Sequence, residues 1–223
     1  MTEEELRKLL ENQNKAAREE INAKDRARLT NKNFSLIASN CNGSFMLKDL
    51  GLPFLSPFIN LYLTPRNFIK YLSNIEHYLN AKLRFIIGRE GRYPIGYLDD
   101  VEIHFFHYHS EEEAYNKWME RSKRLNLENF FVTMAERDGC RYQDLKDFDS
   151  LPIKNKVVFT HRPYPEIAST FYIPGFEINN EVGVLLDFSG VHGKRYYDHF
   201  DYVKWFNGSP LSEIKAESEW KYL

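Results

Sequence analysis

Cysteine is scarce in this chain. There are two, Cys41 and Cys140, too few for a disulfide framework. A reducing, cytoplasmic setting is the expectation that follows. Two cysteines alone cannot build a structural zinc site, and no close-spaced Cys/His ligand pairs accompany them. No run of about 18 apolar residues occurs, so no membrane span is expected. The opening residues, Met1-Thr2-Glu3-Glu4-Glu5-Leu6, are acidic and lack an apolar segment, which argues against a secretory signal. A basic excess is also missing. The net charge is −2 and the sequence pI about 6.4, so nucleic acid is not an expected partner. There is no G-x-S-x-G nucleophile elbow, no dinucleotide-binding glycine fingerprint, no internal repeat and no low-complexity tract.

Aromatic residues are plentiful: 17 Phe, 14 Tyr and 3 Trp among 223 residues. Such rings fill cores first, and they also stack on sugars and bases. The length suits one large domain or a domain with a small appendage. The chemistry-bearing residues then have to be found by where they fall along the chain.

Thr2 and Glu5 form a capping box. Leu6, Leu10, Ala17 and Ile21 follow as a narrow apolar stripe, which predicts a surface helix to about Lys24. Apolar runs at Phe34–Ala38, Ile59–Leu63, Leu83–Ile87, Val101–Tyr108, Phe130–Met134 and Val157–Thr160 read as strands. Between them, helical spacing follows Thr64-Pro65 (Phe68, Ile69, Leu72, Ile75, Leu79) and Ser110 (Ala114, Trp118, Leu125). Shorter helices are read at Ser44–Leu50 and Tyr142–Phe148. Val101–Tyr108 is apolar at both parities, as an interior strand covered on two sides would be. Gly88, Gly91, Pro94 and Gly96 punctuate a stretch read as a hairpin or flap.

Strands alternating with helices predict an α/β fold: a mostly parallel, Rossmann-like sheet flanked by helices, with an irregular C-terminal subdomain. The expected organisation is an N-terminal amphipathic helix over 1–28, an α/β core over 29–162 and an irregular extension over 163–223, where Pro163, Pro165, Pro174 and Gly175 break the pattern. Asp198–Phe206 reads as a terminal helix within it.

Four of the apolar runs end in polar clusters. In open α/β sheets ligands bind beyond the carboxyl ends of the strands, so neighbouring parallel strands would bring all four clusters to one crevice. Ser39-Asn40-Cys41-Asn42-Gly43 offers an anion cradle (Asn40, Asn42, Gly43) or a cysteine nucleophile in Cys41, or simply a turn with a buried thiol. His107 and His109 share one face of their run. They could hold a metal only with a third ligand from Glu102, Glu136, Asp138 or His161, and no spacing motif supports one, so no metal site is assigned. Glu136-Arg137-Asp138-Gly139 offers carboxylates for base or metal duty and an arginine for phosphate, or a solvated turn. Thr160-His161-Arg162 offers an acid–base group and a further cation. Lys194, in the glycine-rich basic stretch Gly190–Arg195, could reach a diphosphate or lie on a surface loop.

Several motifs resemble a bacterial family of unknown function often labelled exopolysaccharide biosynthesis protein. They are Asn40-Cys41-Asn42-Gly43, Ser56-Pro57-Phe58-Ile59, His104-Phe105-Phe106-His107-Tyr108, Lys117-Trp118-Met119-Glu120-Arg121 and the stretch Tyr196–Trp205. The resemblance runs from about Phe34 to Trp205. It implies a role in capsule or lipopolysaccharide assembly and transfers no catalytic residue and no cofactor.

The resulting expectation is a glycan-precursor enzyme, glycosyltransferase-like, with a sugar or nucleotide-sugar ligand. Glu136, Asp138 and His161 are the candidate acid–base groups. Asn40, Asn42, Gly43, His107, Arg137, Arg162 and Lys194 are the candidate ligand contacts. The alternatives are a cysteine-dependent acyl transferase or hydrolase built on Cys41 with His161 or His107 as base, and a non-catalytic assembly protein. In the last case the N-terminal helix would dock to a partner or to a second copy.

Overall fold

The structure is a computed structural model that describes residues 3–86, 92–190 and 192–219. Thr2, Ile87, Gly88, Gly91 and Val191 therefore lie outside the described residues, as do the side chains of Leu6 and Leu10. Parallel strands buried on both faces read as unbroken apolar runs, and three of the predicted runs behave so. β1 (Ser35–Ala38), β5 (Phe130–Ala135) and β6 (Lys156–Thr160) are joined by β7 (Thr170–Tyr172) in a sheet of order β1-β5-β6-β7, parallel throughout. The chain is thus α/β with a mostly parallel sheet flanked by helices. The fourth strand comes from the stretch expected to be irregular; at three residues it is too short to show a period.

Alternating side chains divide the core. Ile37, Val132, Met134 and Val158 face one side. They pack with α3 (Pro65–Ser73), α4 (Ile75–Asn80), α5 (Glu111–Ser122) and α6 (Tyr142–Ser150), around Phe58, Tyr71, Trp118 and Phe148. Leu36, Phe131, Ala135, Val157 and Phe159 face the other side. They pack with α2 (Asn42–Asp49), a 3-10 turn (Tyr196–His199), α7 (Tyr202–Phe206) and α8 (Leu211–Glu219). Gly43 lets α2 approach its own strand: a Cβ there would stand 2.5 Å from the Ala38 Cβ. The helix opened by Thr64 and Pro65 breaks at Asn74 (φ −151°, ψ 64°), whose side chain starts α4 by accepting from the His77 N–H.

Three expectations are overturned. First, Val101–Tyr108 is no interior strand of the parallel sheet. β4 (Val101–His104) pairs antiparallel with β3 (Ile95–Leu98), which pairs with β2 (Leu83–Phe85), in a separate sheet. Its burial alternates: Val101 and Ile103 are buried, Glu102 and His104 half-buried. Second, Ile59–Leu63 forms no full strand but bridges the two sheets. Tyr62 exchanges backbone bonds with His104 (both 2.9 Å), and the Leu63 N–H donates to Ser39 O (3.0 Å). Third, α1 (Glu3–Arg28) buries a polar stripe. Asn14, Arg18 and Asn22 are buried at helical spacing, whereas Ala17 and Ile21 are only half-buried. Charged partners on the body explain it: Arg18 donates to Asp49 (2.7 Å) and to Asp198. Among the described residues, no helix is long and apolar enough to cross a membrane.

Candidate functional site

Ser39 fastens the end of β1 to its neighbours. Its N–H donates to Thr133 O (3.0 Å), and its hydroxyl accepts from the Ala135 N–H (3.3 Å). The chain then turns into α2, with the Asn40 carboxamide oxygen accepting from the Asn42 N–H (3.1 Å) and Cys41 at the N-cap. The Cys41 side chain makes no capping bond, so Asn40 is the side chain that meets the first amide of the helix, and a helix start of this kind favours anions. Next door, β5 runs into Arg137 and Asp138. Asp138 has φ 58°, a left-handed conformation uncommon for a non-glycine residue and found at ligand-handling sites. It is held there by its N–H donating to Glu181 Oε2 (3.0 Å). Arg137 donates to Gly183 O (3.2 Å) and lies 3.4 Å from the Asp138 carboxylate.

These two strand ends form one side of an open cleft of about 470 Å³, within the range of small-molecule sites. Asn40, Cys41, Asn42, Arg137 and Asp138 supply its polar lining together with His107. The remaining lining is Tyr62, Phe106, Val184 and Leu186. Phe106 is 50 % exposed, a large ring presented rather than packed. Tyr62 is stiffened from behind by stacking on His104, with centroids 4.4 Å apart and planes 10° apart. Burial, the Tyr93 hydroxyl and the Asp138 and Glu102 carboxylates together push the Tyr62 phenol's pKa up.

A second polar group sits under the same strand ends but does not line the cleft. Glu136 is 6 % exposed and accepts from the His161 N–H (2.9 Å), His161 Nδ1 (2.6 Å) and the Tyr164 hydroxyl (2.6 Å). With Glu136 ionised, Nδ1 carries the imidazole proton. Arg162 donates to the Tyr164 hydroxyl (3.0 Å) and lies 5.1 Å over that ring. Glu136 also accepts the Val182 N–H at its backbone oxygen (2.9 Å), which anchors the loop bearing Val184 and Leu186.

A family model described as a domain of unknown function, DUF1919, matches residues 12–207. The chain belongs to this family. An uncharacterised protein of Haemophilus influenzae is 53% identical over 194 residues, 87% of this chain and 94% of the relative. Neither description names an activity, a substrate or a pathway, so the exopolysaccharide role is not carried by them. The DUF1919 match spans every residue of the cleft.

Of the expected contacts, Asn40, Asn42, His107 and Arg137 reach the cleft together with Asp138 and Cys41. His107 arrives from the turn after β4 rather than from a parallel strand. It is not paired with His109, because the extended run ends at His104. Gly43 packs against Ala38 and does not line the cleft. Arg162 is engaged with Tyr164. Lys194 lies elsewhere, in a 190 Å³ pocket between α1, α7 and α8. The Cys41 thiol is pushed up by burial, opposite to the shift a nucleophile needs. Sequence reasoning missed Tyr62, Phe106, Val184, Leu186 and Tyr164. Phe106 carried a signal, a large apolar residue directly before a polar cluster; Val184 and Leu186 carried none.

Proposed function

We propose that the cleft binds a phosphorylated sugar or nucleotide sugar, and that the protein acts on a glycan precursor in a glycosyltransferase-like manner. The observation that carries this reading is the pairing of opposites in one cleft. Arg137 and the start of α2 form a donor-rich end. The exposed Phe106 ring and the stiffened Tyr62 ring form an aromatic end. A ligand with a ring at one end and a phosphate at the other matches both. Arg137 neutralises charge growing on the departing phosphate. Asn40, Asn42 and Asp138 orient sugar hydroxyls. The family resemblance to exopolysaccharide proteins supports the glycan assignment, and a doubly covered α/β sheet adds only analogy.

Titration with UDP-glucose and GDP-mannose, each with and without manganese, tests the reading by thermal shift and by amide NMR. Binding should perturb amides of residues 40–44 and 137–138. Arg137→Ala should weaken it about tenfold or more, the loss of a charge-assisted hydrogen bond of roughly 1.5–3 kcal/mol. No perturbation by either nucleotide sugar, or by glucose 1-phosphate, at millimolar concentration would overturn it.

A further inference from the structure

Tyr62 is the end of a hydrogen-bonded line that starts at the rim of the antiparallel sheet. Its hydroxyl lies 3.1 Å from the Tyr93 hydroxyl, and the Tyr93 hydroxyl lies 3.5 Å from His104 Nδ1. His104 Nε2 lies 2.9 Å from Glu102 Oε1, and Tyr97 donates to the other Glu102 oxygen. The line is held rigid by the reciprocal backbone bonds of Tyr62 and His104 and by their ring stack. His104 is 12 % exposed at its side chain and Glu102 27 %, so the line is covered at its middle and wetter at its carboxylate end.

We infer that Tyr62 is the proton-handling group of the cleft, emptied and refilled through Tyr93, His104 and Glu102. This rests on the cleft being the ligand site. The direction follows from the ends. Ionised Glu102 takes the Nε2–H of neutral His104, which leaves the Nδ1 lone pair for the Tyr93 O–H. The Tyr93 oxygen then accepts from Tyr62, and the Tyr62 oxygen offers a lone pair to a hydroxyl in the cleft. When that hydroxyl attacks the sugar carbon, its O–H bond breaks and its proton passes to Tyr62. The Tyr62 proton passes to Tyr93, and the Tyr93 proton to Nδ1. The scissile C–O bond breaks with its electron pair going to the phosphate. His104 ends as an imidazolium paired with Glu102, and the proton leaves there to solvent.

The line makes Tyr62 a different kind of base from Asp138. The Asp138 carboxylate lies 3.4 Å from Arg137 and suits hydroxyl orientation. Tyr62 alone is too weak a base at neutral pH, and its phenol is pushed further up by burial and by the carboxylates near it. It works only as a relay, because its own proton departs as the substrate's arrives. Among the described residues, the titratable groups facing the imidazole include Glu102 on its own strand, Tyr93 ahead of β3 and Tyr62 on the bridging segment, with Tyr97 of β3 on the far side of Glu102 and Asp138 beyond Tyr62.

Two arms test this. In the first, ¹⁵N NMR of histidine-labelled free protein reads His104 directly. Tyr93→Phe should shift the Nδ1 signal toward that of an unbonded imidazole lone pair; an unchanged signal overturns the relay. In the second, turnover of UDP-glucose or GDP-mannose is followed. Tyr62→Phe and Tyr93→Phe should each lower kcat by about 10²–10⁴-fold with KM little changed, and Tyr93→Phe should flatten the acid limb of the pH–rate profile. Wild-type kcat in Tyr62→Phe overturns the inference. Failure of both nucleotide sugars to bind defeats the ligand reading of the cleft and with it the relay's substrate end; the first arm then reads the Tyr93–His104 link alone.

Discussion

Removing the Arg18 guanidinium should cost this fold more than any surface change. Arg18 is 4 % exposed and anchors α1 to three other elements, α2, the 3-10 turn and α7. Nη2 donates to Asp49 at the end of α2 (2.7 Å) and to the Tyr197 (3.2 Å) and Tyr202 (3.4 Å) hydroxyls. Nη1 donates to Asp198 in the 3-10 turn. Arg18→Met keeps most of the volume but leaves two buried carboxylates without their cation. Breaking a buried ion pair from one side costs about 3–5 kcal/mol. With a urea slope of about 2.5–3 kcal/mol per M for a chain of this size, the midpoint falls by about 1–2 M. The pH dependence has a definite sign. Burial already raises the Asp198 carboxyl above its ordinary value, against the pull of Arg18. A carboxyl with a raised folded pKa binds more protons folded than unfolded, so its penalty is absent below the unfolded pKa and grows as pH rises through the folded one. Losing Arg18 widens that window, so the variant's deficit should shrink on going from pH 7 toward pH 4. Urea melts of both proteins by circular dichroism at several pH values give the curve. A loss under about 1 kcal/mol at pH 7, or a deficit that grows with acid, would refute the reasoning. Arg18→Met combined with Asp49→Asn and Asp198→Asn should recover most of the loss, since a replaced network is often neutral where a broken one is not.

Both thiols should react slowly with iodoacetamide at pH 7.5 in the folded protein. Burial raises Cys41, and burial with the Asp144, Glu136 and Glu181 charges pushes Cys140 up to about 12. Alkylation of Cys41 at the rate of a free cysteine would contradict this. Gly43→Ala should lower stability by about 1–3 kcal/mol, because the new methyl meets Ala38 Cβ at 2.5 Å and Leu36 Cδ2 at 3.1 Å; an unchanged thermal midpoint counts against the packing role. Glu136→Ala strips partners from the His161 N–H, His161 Nδ1 and the Tyr164 hydroxyl and should cost about 2–4 kcal/mol in a urea melt.

The parallel sheet was legible because burial on both faces leaves a local mark. Leu36-Ile37, Phe131-Val132 and Val157-Val158 are apolar at both parities, whichever core each side chain enters. The same rule misled at Val101–Tyr108. There the second parity, Phe106 and Tyr108, belongs to a turn beyond the strand, and the strand itself covers one face only. The α1 stripe was illegible for a different reason. Apolar spacing marks a helix face only when apolar residues line it, and this helix buries Asn14 on the Gly193 N–H and Arg18 and Asn22 against acidic and tyrosine partners, three of which, Tyr197, Asp198 and Tyr202, lie some 180 residues away. Nothing near Arg18 announces them. Val184 and Leu186 are hidden likewise, since a loop's destination is set by bonds such as Val182 N–H to Glu136 O.

The strand ends explain how one short sequence cluster serves two places. Glu136 and Arg137 are consecutive, and the chain turns between them just past β5, with the Arg137 N–H donating to Ala135 O (2.9 Å). Glu136 goes under the sheet's edge to His161 and Tyr164; Arg137 goes to the cleft. A polar run after a buried strand is therefore not one site by default but two half-sites sorted by the turn that follows the strand. The two halves are still mechanically linked. The carboxylate that organises His161 belongs to the residue whose carbonyl holds Val182, and the loop from Val182 carries Val184 and Leu186 into the cleft. The bonds at Glu136 thus fix the strand end from which Arg137 projects. A cation lining a cleft gains from such stiffness, because a side chain held in place before any ligand arrives loses less freedom on binding it.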